Sequence, residues 1–233
     1  MATHSLLHMR IRLFVLLLFL LALPISLQAK THTVALGVVH HEPYVAPGTA
    51  AKPAGEAATL KVRALLVDGV QKEWTTGDVH DVTDRTFMVR RAFRLNDALP
   101  GEAARMIWQP ATWLMVDRAS GHITALHLPD FDPAVSDVVW YRDYAAYCGV
   151  HETATMQTLV AVVAQAGARR TVIQKAIGKW DPAQHEQPVC APAVWQRGPV
   201  RVRMQPTGGA TMEFEVVGAT SSLIEEGDSG DDQ

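Results

Sequence analysis

The chain is poor in the residues that would commit it to a stapled, fibrous or metal-clustered design. It has two cysteines in 233 residues, which excludes a disulfide-dense scaffold and a four-thiolate zinc or iron–sulfur site. Its 16 glycines show no three-residue period, which excludes collagen. No heptad run supports a coiled coil. No repeat of roughly 34 or 40 residues is present, and the chain is too short to close a typical propeller. A phosphate-binding glycine loop, a G-x-S-x-G elbow and an H-E-x-x-H helix are all missing. Beyond Leu23 there is no long apolar run, so no membrane span is expected after it. What is present is an ordinary apolar fraction, 48%, which excludes wholesale disorder.

The strongest signal is N-terminal. Arg10 and Arg12 precede an unbroken apolar stretch from Leu13 to Leu23, Pro24 breaks it, and Ala29 offers a small residue for cleavage. This is the layout of a secretory signal peptide over residues 1–29. The apolar stretch is shorter than the ~20 residues of a spanning helix, so export with cleavage after Ala29 is expected rather than anchoring. The destination is then the periplasm or the extracellular space.

Setting aside Arg10 and Arg12 leaves 19 basic against 24 acidic side chains. Five of those acids are Glu225, Glu226, Asp228, Asp231 and Asp232, so the body is neutral and the acidity sits at the end. A neutral body argues against nucleic acid as a partner, because non-specific binding needs clustered positive charge. Residues 221–233 read as an acidic, disordered tail. Within it, Gly227-Asp228-Ser229-Gly230 is similar to the nucleophile motif of trypsin-like serine proteases. The histidine context and the following strand of that family are missing, and a terminal serine cannot be held against a base.

In an oxidising compartment two cysteines usually pair, so Cys148 and Cys190 are expected to form a disulfide. The alternative is a pair of free thiols, or a reactive Cys148 beside His151.

Thr33 to Val39 reads as a first strand, and residues 43–58 as a Pro/Ala/Gly-rich linker. From residue 59 to 220 the pattern is period-two alternation broken by turn residues, which predicts a single β-rich domain. Asp68-Gly69 is a hairpin dipeptide. Thr86 to Leu95 places Phe87, Val89, Phe93 and Leu95 on one face, with Arg91 interrupting it. Val138 to Cys148 reads as one aromatic strand. Met156 to Ala166 is apolar enough for a buried strand and long enough for a helix. A short helix is expected near Leu99 to Ile107, weakened by Pro100-Gly101. In the last hairpin, pairing Val202 with Phe214 sets Arg203 opposite Glu213 and Arg201 opposite Glu215. The sum is an all-β, mainly antiparallel sandwich or barrel-like domain of eight or nine strands with at most one short helix.

Several clusters are candidates for chemistry. Asp78, His80 and Asp84 combine carboxylate and imidazole, as a divalent ion prefers, although Asp side chains in such loops more often cap backbone amides. His40 and His41 are adjacent, and adjacent strand residues face opposite ways. Asp130, Asp132 and Asp137 offer carboxylates for acid–base work or calcium, against ordinary Asp-Pro turn chemistry. The segment Trp140, Tyr141, Arg142, Asp143 and Tyr144 is an aromatic run with a cation. As a continuous strand it would put Trp140, Arg142 and Tyr144 on one face, suited to stacking, an anion, a sugar or a protein partner. The leading expectation is a non-catalytic binding or structural protein of the envelope or extracellular space, its partner unspecified and no cofactor called for. The rivals are a secreted hydrolase using Asp130, Asp132 and Asp143, and a small metal-binding envelope protein using His40, His41 and His80.

Overall fold

The computed structural model describes residues 31–44, 58–167, 171–181, 189–217 and 220–224. The expected signal peptide, most of the 43–58 linker and the acidic end beyond residue 224 lie outside the described residues. No described residue is helical, and fifteen strands form three antiparallel sheets. The expected all-β antiparallel class is therefore present, with a sandwich-like pair of sheets and no closed barrel.

The large sheet contains β1 (Val34–Leu36), β2 (His40–Tyr44), β3 (Ala58–Val67), β4 (Val70–Asp81), β5 (Thr86–Asn96), β6 (Met106–Asp117) and β7 (Ile123–Ala125). The expected strand at 33–39 is shortened to β1, and β2 follows it on the same edge. β1 pairs with the end of β3 and β2 with its start. Gly37 bridges to Ala64, and Val38 stands out into solvent at 79% exposure. The Asp68-Gly69 turn joins β3 to β4 with positive φ at both residues, as a two-residue hairpin loop requires.

No helix forms near Leu99 to Ile107. Pro100-Gly101 turns the chain, Asp97 and Arg105 close the loop by a backbone bond and a 2.6 Å ion pair, and residues from Met106 run into β6. Opposite Arg91 the partner strand carries a β-bulge: β5 passes from Arg90 to Ala92 while β6 passes from Trp113 to Pro110. The alternation of β5 itself runs on through Arg91, and what changes is which of its faces is covered. Phe87 and Val89 are buried before Arg91, while beyond it Ala92 is buried and Phe93 turns outward at 39% exposure.

The middle sheet runs β11 (Thr171–Lys179), β10 (Gln157–Gln165), β9 (Tyr144–Glu152), β8 (Val139–Tyr141). The third runs β12 (Cys190–Gln196), β13 (Arg201–Pro206), β14 (Met212–Val217), β15 (Thr220–Ile224), so the last strand takes in residues 221–224 of the expected tail. The middle and third sheets face each other across a core of Ala146, Leu159, Ala161, Val163, Val202, Met204, Phe214 and Val216. The opposite face of the middle sheet carries Ala145, Tyr147, Val160, Val162 and Ala164. It is covered by Leu128, Phe131 and Val138 of the connecting segment and by Trp113 of β6. Both faces being covered explains why Leu159 to Ala164 is apolar at every position, and why this segment is a strand. The disulfide Cys148–Cys190 ties β9 to β12 with both cysteines buried, which removes the free-thiol reading. The β13–β14 register is the expected one: Val202 faces Phe214, Arg201 faces Glu215 and Arg203 faces Glu213.

The turn after β6 is held by Asp117. Its carboxylate accepts from Arg85 Nε at 2.7 Å and from the amides of Ala119 and Ser120 at 2.8 and 3.0 Å. The Arg85 hydrogen bond, helped by the Ser120 and Ala119 amides, holds the Asp117 carboxyl well below the usual carboxylate range. A depressed folded-state value stabilises the protein above the unfolded value of about 3.9, and that contribution is lost as pH falls below it. Replacing Asp117 with Asn should therefore flatten the fall of melting temperature on the acid side of about pH 5 while leaving the slope above pH 6 unchanged. Melting curves between about pH 2 and 7 would show this, and an unaltered acid-side slope would contradict it.

Candidate functional site

After β7 the chain leaves the large sheet and crosses onto the middle one. Leu126 donates to Trp113 O at 2.7 Å, and Leu126 and Leu128 are buried with His127 exposed between them. Pro129-Asp130 then makes a sharp turn with Asp130 at φ 56°, a left-handed conformation that Asp tolerates better than most residues. The turn lies directly on β9. Asp130 O accepts from Val150 N at 2.8 Å, Phe131 bridges to Gly149, and Tyr147 Oη donates to Pro129 O at 2.6 Å. Gly149 is obligatory for this approach: a Cβ there would sit 1.9 Å from Asp130 O. Burial pushes the Tyr147 hydroxyl far above its ordinary value, with the Asp130 charge adding to it, so it stays a donor.

The Asp130 carboxylate is fixed from both sides. Oδ2 accepts from Gln174 Nε2 at 2.6 Å, and Oδ1 lies 3.2 Å from His151 Nδ1. Asp130 lines a cleft of about 450 Å³ with Asp132, Glu152, His127, Phe131 and Trp180. Asp132 also caps the turn that follows, its Oδ1 accepting from Ala134 N at 2.8 Å. Two of the three expected hydrolase acids thus share one cleft. Asp143 is not there: it accepts from Gln165 Nε2 at 2.7 Å, at the start of β9. No Ser, Thr, Cys, Lys or Tyr is among the described residues lining this cleft.

The aromatic segment is arranged differently from a continuous strand. Arg142, at φ 52°, and Asp143 form the turn of a hairpin in which Tyr141 pairs with Tyr144 and Trp140 with Ala145. Tyr141 and Tyr144 therefore share a face, and Trp140 lies on the other with Tyr147. Trp140 is half-buried against Trp113, at 5.3 Å between ring centroids, and stacks on His80. Tyr141 stacks on Trp195 at 5.4 Å, and Trp195 Nε1 donates to Val139 O at 3.0 Å. The guanidinium of Arg142 lies 5.7 Å from the Tyr141 ring. These half-buried rings fill seams between sheets rather than making an exposed platform.

Asp78, His80 and Asp84 are not gathered into one site. Asp78 is exposed in the β4 bulge between Thr76 and His80. His80 Nε2 donates to Arg142 O at 2.7 Å, and Asp84 is exposed in the following turn. Among the described residues no group of three or more His, Cys, Asp or Glu is placed to hold a metal ion. His40 lines a separate cleft of about 260 Å³ with Glu42, Trp74, Arg94 and Trp108.

Sequence reasoning found Asp130 and Asp132 but missed His151, Gln174, Glu152 and Trp180 as their companions. The available signal was Gly149 in the middle of an apolar strand, a position that marks close backbone approach. Compared with family models, curated proteins and solved structures, the chain finds no match.

Proposed function

We propose that the protein is exported and acts outside the cytoplasm as a non-catalytic binding module for a carbohydrate. The observation that carries this reading is the cleft under the 126–133 segment. Its carboxylates stand beside the aromatic rings of Phe131 and Trp180, and the Asp130 acceptor atoms are fixed in place by Gln174 and His151. Oriented acceptors next to apolar ring surface suit a ligand that offers hydroxyl donors on one side and C–H faces on the other. The buried disulfide and the signal-peptide-like pattern of residues 1–29 are compatible with an oxidising destination.

A glycan array probed with the purified full chain, followed by calorimetry on the best binder, tests this. Replacing Asp130 with Asn keeps the shape and removes the charge, and should weaken binding by about tenfold or more, the range for a hydrogen bond to an ionised acceptor. Absence of any glycan binding would remove the reading. One observation favours a second reading, a hydrolase: Asp130 and Asp132 line the same cleft. It requires release of reducing ends from the bound glycan, abolished by both D130N and D132N.

A further inference from the structure

The 126–133 segment has a second side, and there the notable group is Arg90. Its side chain is only 14% exposed and lines a cavity of about 290 Å³ with Pro110, Leu126, Leu128, Phe131 and His127. Arg85, Arg105 and Arg118 have a carboxylate at 2.6 Å and Arg91 one at 2.9 Å, while Arg63 reaches Gly77 O and Arg94 lies over the Trp108 ring. Arg90 has no carboxylate so close. Asp137 stands 3.6 Å from Nη1, beyond hydrogen-bond reach, and is itself 77% exposed. Only Nε makes a hydrogen bond, to Ala111 O at 3.2 Å, while the guanidinium lies 5.8 Å from the Phe131 ring. Burial lowers the Arg90 guanidinium below its ordinary value, against the opposing pull of Asp137 and Tyr44. Apart from this 3.6 Å ion pair, the Nη atoms of the mostly buried cation make no hydrogen bond among the described residues. Across from Arg90, β6 carries a bulge between Trp113 and Pro110, a distortion that re-aims side chains.

We propose that this cavity binds a small carboxylate with an apolar body, its two oxygens taken by the Arg90 fork. A planar guanidinium matches a carboxylate with two parallel hydrogen bonds, and the pair is strongest where water is excluded. The aliphatic and aromatic walls take the rest of the molecule, so the ligand's tail is apolar rather than sugar-like. The charge of Asp137 competes for the same cation and weakens binding of a second carboxylate.

Calorimetry on the full chain with butyrate, benzoate, butyramide and inorganic phosphate, each to about 50 mM, provides the test. Butyrate or benzoate should bind, with the neutral isostere butyramide weaker by about tenfold or more. R90K should weaken carboxylate binding by a similar factor, because an ammonium cannot form the fork. Asp137 is exposed, so D137N should keep the fold, and removing its competing charge should tighten butyrate several-fold. The proposal is overturned if no carboxylate binds, if butyramide binds as well as butyrate, if phosphate alone binds, or if D137N leaves the affinity unchanged.

Discussion

Replacing Gly149 with alanine is expected to cost about 3 kcal/mol of unfolding free energy, the upper range for overpacking a core. The added Cβ would meet Asp130 O at 1.9 Å and Asp130 C at 2.8 Å. Both are backbone atoms, so no side-chain rotation relieves the clash. The 129–131 turn must lift from β9, breaking the Val150–Asp130 bond and stretching the bond from buried Tyr147 to Pro129. A glycine-to-alanine change in open space acts the other way, stabilising by roughly 0.4–1 kcal/mol through the unfolded chain. Gly178 supplies that comparison, since a Cβ there meets nothing within 4 Å. Urea denaturation of G149A and G178A should give shifts of opposite sign. A G149A midpoint within experimental error of the wild type would show that the turn is not held where it lies. Because the same turn presents Asp130, G149A should also lose the glycan binding proposed above.

Removing the disulfide by the double change C148A/C190A should cost about 4 kcal/mol, the chain-entropy value for a loop of this size. The bridge spans 42 positions and joins a central strand of the middle sheet to an edge strand of the third. Without it, the association of the two sheets rests on the apolar residues between them and on the chain connections, and the unfolded chain regains the freedom that the bridge removed. Alanine is preferred to serine because both positions are buried and a serine hydroxyl would need a partner. The urea midpoint of the wild type with reductant should fall to that of the double variant. A loss below about 1 kcal/mol would mean that the unfolded chain is already compact around this loop.

The parts of the fold legible in the sequence are those whose cause is local. The β13–β14 hairpin was readable to the register, because alternation of period two and the Gly208-Gly209 turn lie within 16 residues of one another, from Arg201 to Val216. The Asp68-Gly69 turn was readable because two residues in left-handed conformation need those side chains. The cysteine pair was readable because there is only one way to join two cysteines. The turn at Arg142-Asp143 was not, since an arginine at positive φ carries no signal and the flanking aromatics look like strand on both sides. The change of covered face along β5 at Arg91 showed only as a blemish in the apolar pattern.

Composition and alternation by themselves determined that this chain folds as antiparallel sheet, where most of its strands lie, and which two sulfurs meet. Tertiary structure decided that β10 is buried on both faces, that Trp140 packs inward, and that Asp130 meets partners 21 and 44 positions away. It alone left Arg90 beside a cavity with its nearest carboxylate at 3.6 Å, too far for a hydrogen bond. The physical reason is range: backbone pairing follows from neighbours along the chain, whereas the worth of a charged or polar side chain depends on which distant atoms reach it and how much water they displace.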